Sequence, residues 1–207
     1  MVSSASKYRS RPPTEAAADG RGRDGRPQHL HPADHRPGVE LSQQVGELDD
    51  ATLAKRPGSA LNPVGFIYWH ILRVWDLDLN WLIKGGAPGD DAWHRGGYSA
   101  ELAYSPDGVG AAGMGIGTGY TDDDVDAVPY RADVLARYQR QLLDETNAYL
   151  SEATDEELQR EFPLRDQTTT VAARLQHTVS HSWNHVGEIR MTKSMIGYPD
   201  PSTPPRS

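Results

Sequence analysis

Apolar residues recur every three or four positions in several stretches of the chain, which is the period of an α-helix and not of a strand. The clearest stretch is 62–84, "NPVGFIYWHILRVWDLDLNWLIK", where Asn62 is placed to cap a helix and Pro63 to begin it. One face of this predicted helix is apolar except for one histidine and comprises Phe66, His70, Val74, Leu77 and Trp81. A second face is polar and comprises Arg73, Asp76, Asn80 and Lys84, with Trp69 beside it.

Three other stretches have the same period. A short helix is predicted within 39–55, a longer helical segment within 121–162, and a last helix from about 168–170 to Gly197. Four helical segments and no convincing strand favour an all-α fold, a four-helix bundle. The long stretch 85–120 between the second and third segments predicts one long crossover connection.

That connection is rich in glycine. Residues 85–120 hold eleven of the twenty glycines, including "GMGIGTG". A dinucleotide fingerprint needs G-x-G-x-x-G between a strand and a helix, whereas the spacing here is G-x-G-x-G-x-G and no β-branched run precedes it. A nucleotide site is therefore rejected, and we expect a mobile connection that forms part of a pocket mouth.

The two ends of the chain lack helical periodicity. Residues 1–38 are rich in Arg, Pro, Gly and Ala, and such a segment buries too little apolar surface to offset the entropy lost on ordering. Residues 199–207 are rich in Pro. The sequence predicts a disordered tail over 1–38, one helical domain over 39–198 and a disordered end over 199–207.

Composition narrows the class of protein. The net charge of −8 argues against nucleic acid as the main partner. The absence of cysteine excludes disulfides and thiolate metal sites and fits a reducing compartment. No apolar run approaches the roughly 18 residues that a membrane span needs. We expect a cytoplasmic protein with no membrane partner.

The last predicted helix carries His177, His181 and His185, each four positions from the next. Side chains at i and i+4 lie on one face of a helix and reach a common ligand. The polar stripe they belong to comprises Arg174, His177, His181, His185, Glu188 and Thr192. The opposite side of the helix, which suits water better, carries Gln176, Arg190, Lys193 and Ser194. We therefore expect the histidine stripe to face the interior, where unpaired polar groups are costly.

Two interpretations of these histidines stay open at this point. The spacing can be accidental, with His70 a hydrogen-bonded core histidine. Alternatively, His70 and an inward pair on the last helix supply three imidazoles, which suit Zn²⁺ or Ni²⁺ and leave coordination positions open. The site differs from that of the zincin proteases, because "HSWNH" lacks the glutamate of H-E-x-x-H.

Three segments together resemble a known family: "NPVGFIYWHILRVWD", then "GTGYTDDDVDAV", then "HTVSHSWNHVGEI" followed by "IGYP". They resemble the DinB-like superfamily of metal-dependent helix bundles over about residues 40–198. The resemblance implies a four-helix bundle with one long crossover, and it implies a metal triad of His70, His181 and His185. His177 corresponds to a histidine that is common in relatives but is not usually a ligand.

Several members of that family act as metal-dependent transferases for low-molecular-weight thiols, including maleylpyruvate isomerisation. The resemblance implies a thiol transferase or isomerase that uses a small-molecule substrate and a thiol such as mycothiol or bacillithiol. Glu188, where the family usually has Gln, is the catalytic candidate, because it can orient a ligand or move a proton. Asp78 is a weaker candidate for supporting a ligand.

The rival hypothesis is a non-catalytic metal-binding or stress-response protein whose metal only stabilises the bundle. A homodimer is a further expectation, because Trp69 falls beside the polar face of its predicted helix and is placed to mark a contact between two copies.

Overall fold

The structure is a computed structural model and describes residues 36–198. The helices in this range are α1 (Arg36–Val45), α2 (Asp50–Ala54), α3 (Val64–Asp76), α4 (Ala92–Arg95), α5 (Tyr98–Glu101), α6 (Asp122–Ala127), α7 (Ala132–Glu152), α8 (Asp155–Gln159) and α9 (Val171–Met195). A π-helical segment, Leu77–Ile83, continues α3, and a short 3₁₀ turn spans Ala111–Gly113. The disordered ends predicted for 1–38 and 199–207 lie outside the described residues, apart from 36–38, which form the first turn of α1.

Four helices form the bundle. Helices α3 and α9 pack against each other, α7 packs against α3, and α1 packs against both α9 and α7. Apolar side chains from all four meet in one core, including Leu41, Ile71, Leu142 and Ile189. The predicted all-α fold is confirmed.

The crossover follows from helix direction. Near the beginning of α3, the Tyr68 hydroxyl donates to the Leu135 carbonyl near the beginning of α7, at 3.3 Å. Beyond the end of α3, Asn80 donates to Glu145 further along α7, at 3.1 Å. Helices α3 and α7 therefore run parallel. Parallel neighbours need a connection as long as the helices themselves, and residues 84–131 provide it.

Local signals place several helix ends, but the predicted Asn62 cap was wrong, because Pro63 is the N-cap residue of α3 and no side chain caps this helix. The Thr121 hydroxyl accepts from the Asp124 amide and the Asp124 carboxylate accepts from the Thr121 amide, so a capping box begins α6. Thr170 caps α9 by accepting from the Ala173 amide at 3.1 Å. Pro129 separates α6 from α7, so the helical segment predicted within 121–162 is interrupted there.

The prediction of no strand was wrong. Strand β1 (Glu161–Leu164) pairs antiparallel with β2 (Gln167–Thr170) in a short hairpin ahead of α9. Strands of four residues are too short for a two-residue alternation to be seen in the sequence. Phe162 packs in an apolar cluster with Ile83 and Val171, so tertiary contacts stabilise the hairpin.

The first predicted helix is divided in two. The structure ends α1 at Val45 and begins α2 at Asp50, because the Asp49 carboxylate accepts from the Thr52 amide at 2.8 Å and caps a new helix. Among residues 36–198, no helix combines the length and the apolar character that a membrane crossing requires.

Three side chains lie elsewhere than the helical wheel indicated. Trp69 is 0% exposed and packs against Trp93 and Tyr104, so it cannot form the proposed contact between copies. Lys193, expected on the solvent face, is buried and donates to the Gln44 carbonyl at 2.6 Å. Trp81, expected in the core, is only partly buried and lines a cavity. The homodimer stays a prediction without a contact residue.

Candidate metal centre

Helices α3 and α9 bring three of the predicted site residues together. His70 comes from α3, and His181 and His185 come from successive turns of α9. Each offers a ring nitrogen, and these nitrogens lie within 4.8 Å of one another. The ring centroids of His70 lie 5.0 Å from His181 and 4.9 Å from His185. These three half-buried residues are called the histidine triad below.

Hydrogen bonds fix which nitrogen of two rings carries the proton. Nδ1 of His70 bonds the Ile116 carbonyl, and Nδ1 of His185 bonds a Glu188 carboxylate oxygen at 2.7 Å. Carbonyl and ionised carboxylate oxygens only accept, so both Nδ1 atoms must donate. In the uncharged ring Nε2 then keeps its lone pair, which is the form that binds a metal.

The third ring is incompletely satisfied. Nδ1 of His181 is buried and has no hydrogen-bond partner in the described part of the chain. Burial, followed by the neighbouring His70 and His185 rings, lowers the pKa of His181 to about 3. Burial also lowers the pKa of His70. Both rings are therefore uncharged near neutral pH, and an uncharged imidazole does not have to lose a proton before it binds a metal ion.

Glu188 is not a member of the histidine triad but accepts a hydrogen bond from one of its rings, His185. The hydrogen bond from His185 is the main cause that lowers the pKa of the Glu188 carboxyl, so this group is an anion near neutral pH. An anionic acceptor on Nδ1 holds the ring in position and increases the basicity of Nε2. The position of Glu188 is thus that of a residue that orients His185.

His177 belongs to a different group. Its side chain is 45% exposed, in contrast to the inward position expected for the whole stripe, and its Nδ1 lies 3.2 Å from Asp78. Asp78 is 1% exposed and also accepts from Arg174 Nε at 2.8 Å and from the Thr178 hydroxyl at 2.7 Å. Asp78, Arg174, His177 and Thr178 are called the Asp78 cluster below. Asp78 is therefore buried and paired one to two turns away from the triad.

Backbone of the crossover completes the surroundings of His70, and residue types did not reveal this. The Ile116 carbonyl bonds His70, and Gly117 has a φ of +95°. A Cβ at Gly117 would lie 3.0 Å from His70 Nδ1, so glycine is needed for this close approach. The glycine spacing of "GMGIGTG" was the available signal, but a carbonyl contact leaves no mark in the sequence.

Arg73 anchors the same loop. It is fully buried, donates from Nε to the Gly115 carbonyl at 3.1 Å and from Nη1 to Asp91 at 3.1 Å. The polar face of α3 that includes Arg73 therefore faces the crossover and not water. Its hydrogen bonds hold the loop that carries Ile116 against His70.

A cavity of about 590 Å³ opens onto the triad. His70 and His181 form part of its wall, together with apolar side chains of the π-helical segment and of the crossover: Leu77, Trp81, Leu82, Met114 and Ile116. The volume is in the range of small-molecule sites in proteins. Isolated π-helical turns are frequent at functional sites, and here such a segment supplies one wall. The expectation that the glycine-rich connection borders a pocket agrees with this geometry.

Comparison with known proteins identifies the family. The sequence profile of the DinB superfamily matches residues 38–189, which include the triad and Glu188. The chain belongs to the DinB superfamily.

The DinB fold is also seen in a structural relative. A crystal structure titled as the conserved protein of locus from Enterococcus faecalis has a TM-score of 0.64 and 18% sequence identity to this chain. The match covers 79% of this chain and 92% of that one, and at this identity it shows the fold alone. No curated protein matches the chain.

Proposed function

We propose that this DinB protein binds a divalent metal ion, Zn²⁺ or Ni²⁺, through His70, His181 and His185 and is an enzyme of the low-molecular-weight-thiol transferase or isomerase type. One observation carries the proposal: three imidazole nitrogens lie within 4.8 Å of one another, and two of the three rings, His70 and His181, line a 590 Å³ cavity. A purely structural ion has no need of such a cavity.

The donor set fits such an ion. Zinc and nickel accept imidazole nitrogen readily, and three protein ligands leave at least one coordination position for a water or a substrate. The buried, unpartnered Nδ1 of His181 shows that this ring lacks a partner in the described protein. A bound ion of this kind supplies Lewis acidity, which keeps a coordinated thiol in its thiolate form at neutral pH.

The residues of this chain contribute orientation and shielding. The Ile116 carbonyl and the Glu188 carboxylate each hold one imidazole ring with Nε2 free. Glu188 is then a positioning residue, which is the first of the two roles that its place in the sequence suggests. Leu77 and Met114 give the cavity an apolar part of its wall, which favours a ligand over bulk water.

The proposal also covers the substrate, the thiol and the cellular compartment. The substrate is a small molecule, because the triad lies in a cavity and not on an extended surface. Mycothiol and bacillithiol are thiol candidates. Since the low-molecular-weight thiols are kept reduced in the cytoplasm, the proposal implies that compartment, and the absence of cysteine is compatible with it.

Cobalt substitution tests this function. Protein purified without a histidine tag is loaded with Co²⁺ and titrated with glutathione, bacillithiol and mycothiol while the visible absorption is followed. We expect one Co²⁺ per chain and a sulfur-to-cobalt charge-transfer band that saturates with at least one thiol. A stoichiometric ion that raises the melting temperature but responds to no thiol would instead support the structural role.

A further inference from the structure

The turn of the β-hairpin holds an arginine in an unusual backbone conformation. Because Leu164 pairs with Gln167, the turn consists of Arg165 and Asp166 alone. Arg165 has a φ of +58°, in the left-handed region that glycine and asparagine tolerate far better than arginine. A two-residue hairpin of this kind normally has glycine or asparagine at its first turn position. Arginine here is therefore unfavourable for the hairpin itself.

The side chain of Arg165 has no partner in the described part of the protein that would offset the unfavourable backbone conformation. Arg165 is exposed, and within residues 36–198 its guanidinium makes no hydrogen bond or ion pair, so it is free to bind a ligand. It lines the same 590 Å³ cavity as His70 and His181, so the hairpin turn and the triad border one space. A strained residue with an unpaired functional group at the rim of a cavity is typical of a ligand contact.

A second guanidinium borders the same space. Arg174 lines the cavity and bonds the Asp78 carboxylate through Nε and Nη2. Its Nη1 makes no hydrogen bond within the described residues. Of the carboxylates, Asp166 lines the cavity and Asp78 lies behind Arg174. Two arginines and two aspartates give no net charge, so an anion can pair only with the Arg165 guanidinium and with Nη1 of Arg174, which suits a single carboxylate better than a dianionic phosphate.

We propose that Arg165, assisted by Arg174, binds a carboxylate group of the small molecule that occupies the cavity. The inference rests on the proposed function for the assumption that the cavity is the substrate site. A planar guanidinium pairs with a carboxylate through two parallel hydrogen bonds, which fixes orientation as well as position. The apolar wall at Leu77 and Trp81 accommodates the body of the ligand, between the arginines and the histidine triad. The carboxylate belongs to the thiol or to its electrophile.

Two substitutions of the turn test this. Arg165→Asn removes the cation and keeps a residue that tolerates the left-handed conformation. Asp166→Asn is the matched control, because it removes the neighbouring negative charge. The probes for Co²⁺-loaded protein are glutathione, which has two carboxylates, and glutathione dimethyl ester, which has none and retains the thiol. Succinate, a dicarboxylate without a thiol, is titrated by calorimetry.

If the thiol carries the carboxylate, Arg165→Asn weakens glutathione binding by roughly 10-fold or more, as loss of a charge-assisted pair does. Binding of the ester stays unchanged, and Asp166→Asn tightens glutathione binding. If the electrophile carries the carboxylate, glutathione and its dimethyl ester bind the unchanged protein with the same affinity. Arg165→Asn then weakens the binding of succinate. The melting temperature of Arg165→Asn equals or exceeds that of the unchanged protein, which shows that the loss is not one of folding.

Contrary results would show whether the carboxylate site or the proposed function is wrong. If the cobalt band responds to the thiols but Arg165→Asn changes neither glutathione nor succinate binding, the carboxylate site is wrong and the proposed function stands. If no thiol changes the band while succinate binds through Arg165, the thiol chemistry is wrong and the carboxylate site stands. If neither thiols nor succinate bind, both proposals are overturned.

Discussion

Two polar groups lie where one stripe of α9 faces α3 and its π-helical continuation, and they differ in how completely their hydrogen-bonding atoms are satisfied. In the Asp78 cluster, one buried carboxylate accepts from Arg174, His177 and Thr178. In the histidine triad, the three rings face one another, and Nδ1 of His181 has no partner within residues 36–198. The two groups lie one to two helical turns apart.

The difference shows how to separate a structural polar cluster from a binding site. Buried polar groups in proteins are nearly always hydrogen-bonded, so the Asp78 carboxylate, which accepts from three side chains, needs no ligand of its own. The triad presents lone pairs to a common point and leaves one ring nitrogen unpaired, which is unfavourable unless a ligand is bound there. Histidine spacing alone does not make this distinction, because His177 has the same spacing as His181.

The largest expected effect separates His181 from His177. His181→Ala removes one of the three proposed ligands, so metal affinity should fall by orders of magnitude. His177→Ala keeps stoichiometric metal and changes the free energy of unfolding by about 1 kcal/mol at most. Metal content after dialysis and the melting temperature with and without chelator measure both. A metal that binds only the folded state stabilises it, so the His181 variant melts lower only in comparison with loaded protein.

Equal metal retention in the two variants would contradict the assignment of His181. Loss in His177→Ala alone would move the site one turn towards the beginning of α9.

The next largest effect concerns stability without metal loss. Asp78→Ala leaves the Arg174 guanidinium, 13% exposed, without its carboxylate, and we expect the free energy of unfolding to fall by about 3 kcal/mol. Denaturant unfolding measures this. The control is Asp133→Ala, an exposed carboxylate paired with Arg131 and Arg137, which should change stability by about 0.5 kcal/mol or less. Metal loss in the Asp78 variant would mean that the two groups act as one.

A smaller effect is expected at Glu188. Glu188→Ala removes the acceptor that orients His185 and should weaken metal binding by about 10- to 100-fold. Glu188→Gln keeps an oxygen that accepts from Nδ1 and should weaken it less. Competition with a chromophoric chelator gives both constants. If Glu188→Gln binds metal normally but loses turnover, Glu188 moves a proton and is not only a positioning residue.

The smallest pair of effects has opposite signs. Gly117→Ala forces a Cβ towards His70 at a φ of +95°, so we expect a loss of about 1–2 kcal/mol in stability together with weaker metal binding. Gly187→Ala, within α9 between His185 and Glu188, meets no atom within 4 Å and should gain about 1 kcal/mol with metal binding unchanged. Thermal unfolding of apo and loaded protein separates them. A destabilised Gly187→Ala would mean that α9 needs flexibility beside its ligands.

The sequence by itself determined where the long helices lie and the identity of the candidate ligands. A helix is a local structure with a fixed period. The apolar positions of α3 and the capping box at Thr121 can therefore be recognised in the sequence before the fold is known. The resemblance to the DinB superfamily selected His70, His181 and His185 from eight histidines, and the structure brings those three together.

Only the tertiary structure decided which polar groups are partners. The burial of Asp78, the Ile116 carbonyl on His70 and the complete burial of Trp69 each depend on a contact between segments far apart in the chain. Such contacts have no period and no fixed residue type, because a backbone carbonyl or a crossing helix supplies them. The hairpin that carries Arg165 belongs here too, since packing of Phe162 stabilises strands too short to leave a pattern. The candidate ligands can thus be identified from short sequence motifs. Their hydrogen-bond partners are known only once the fold is known.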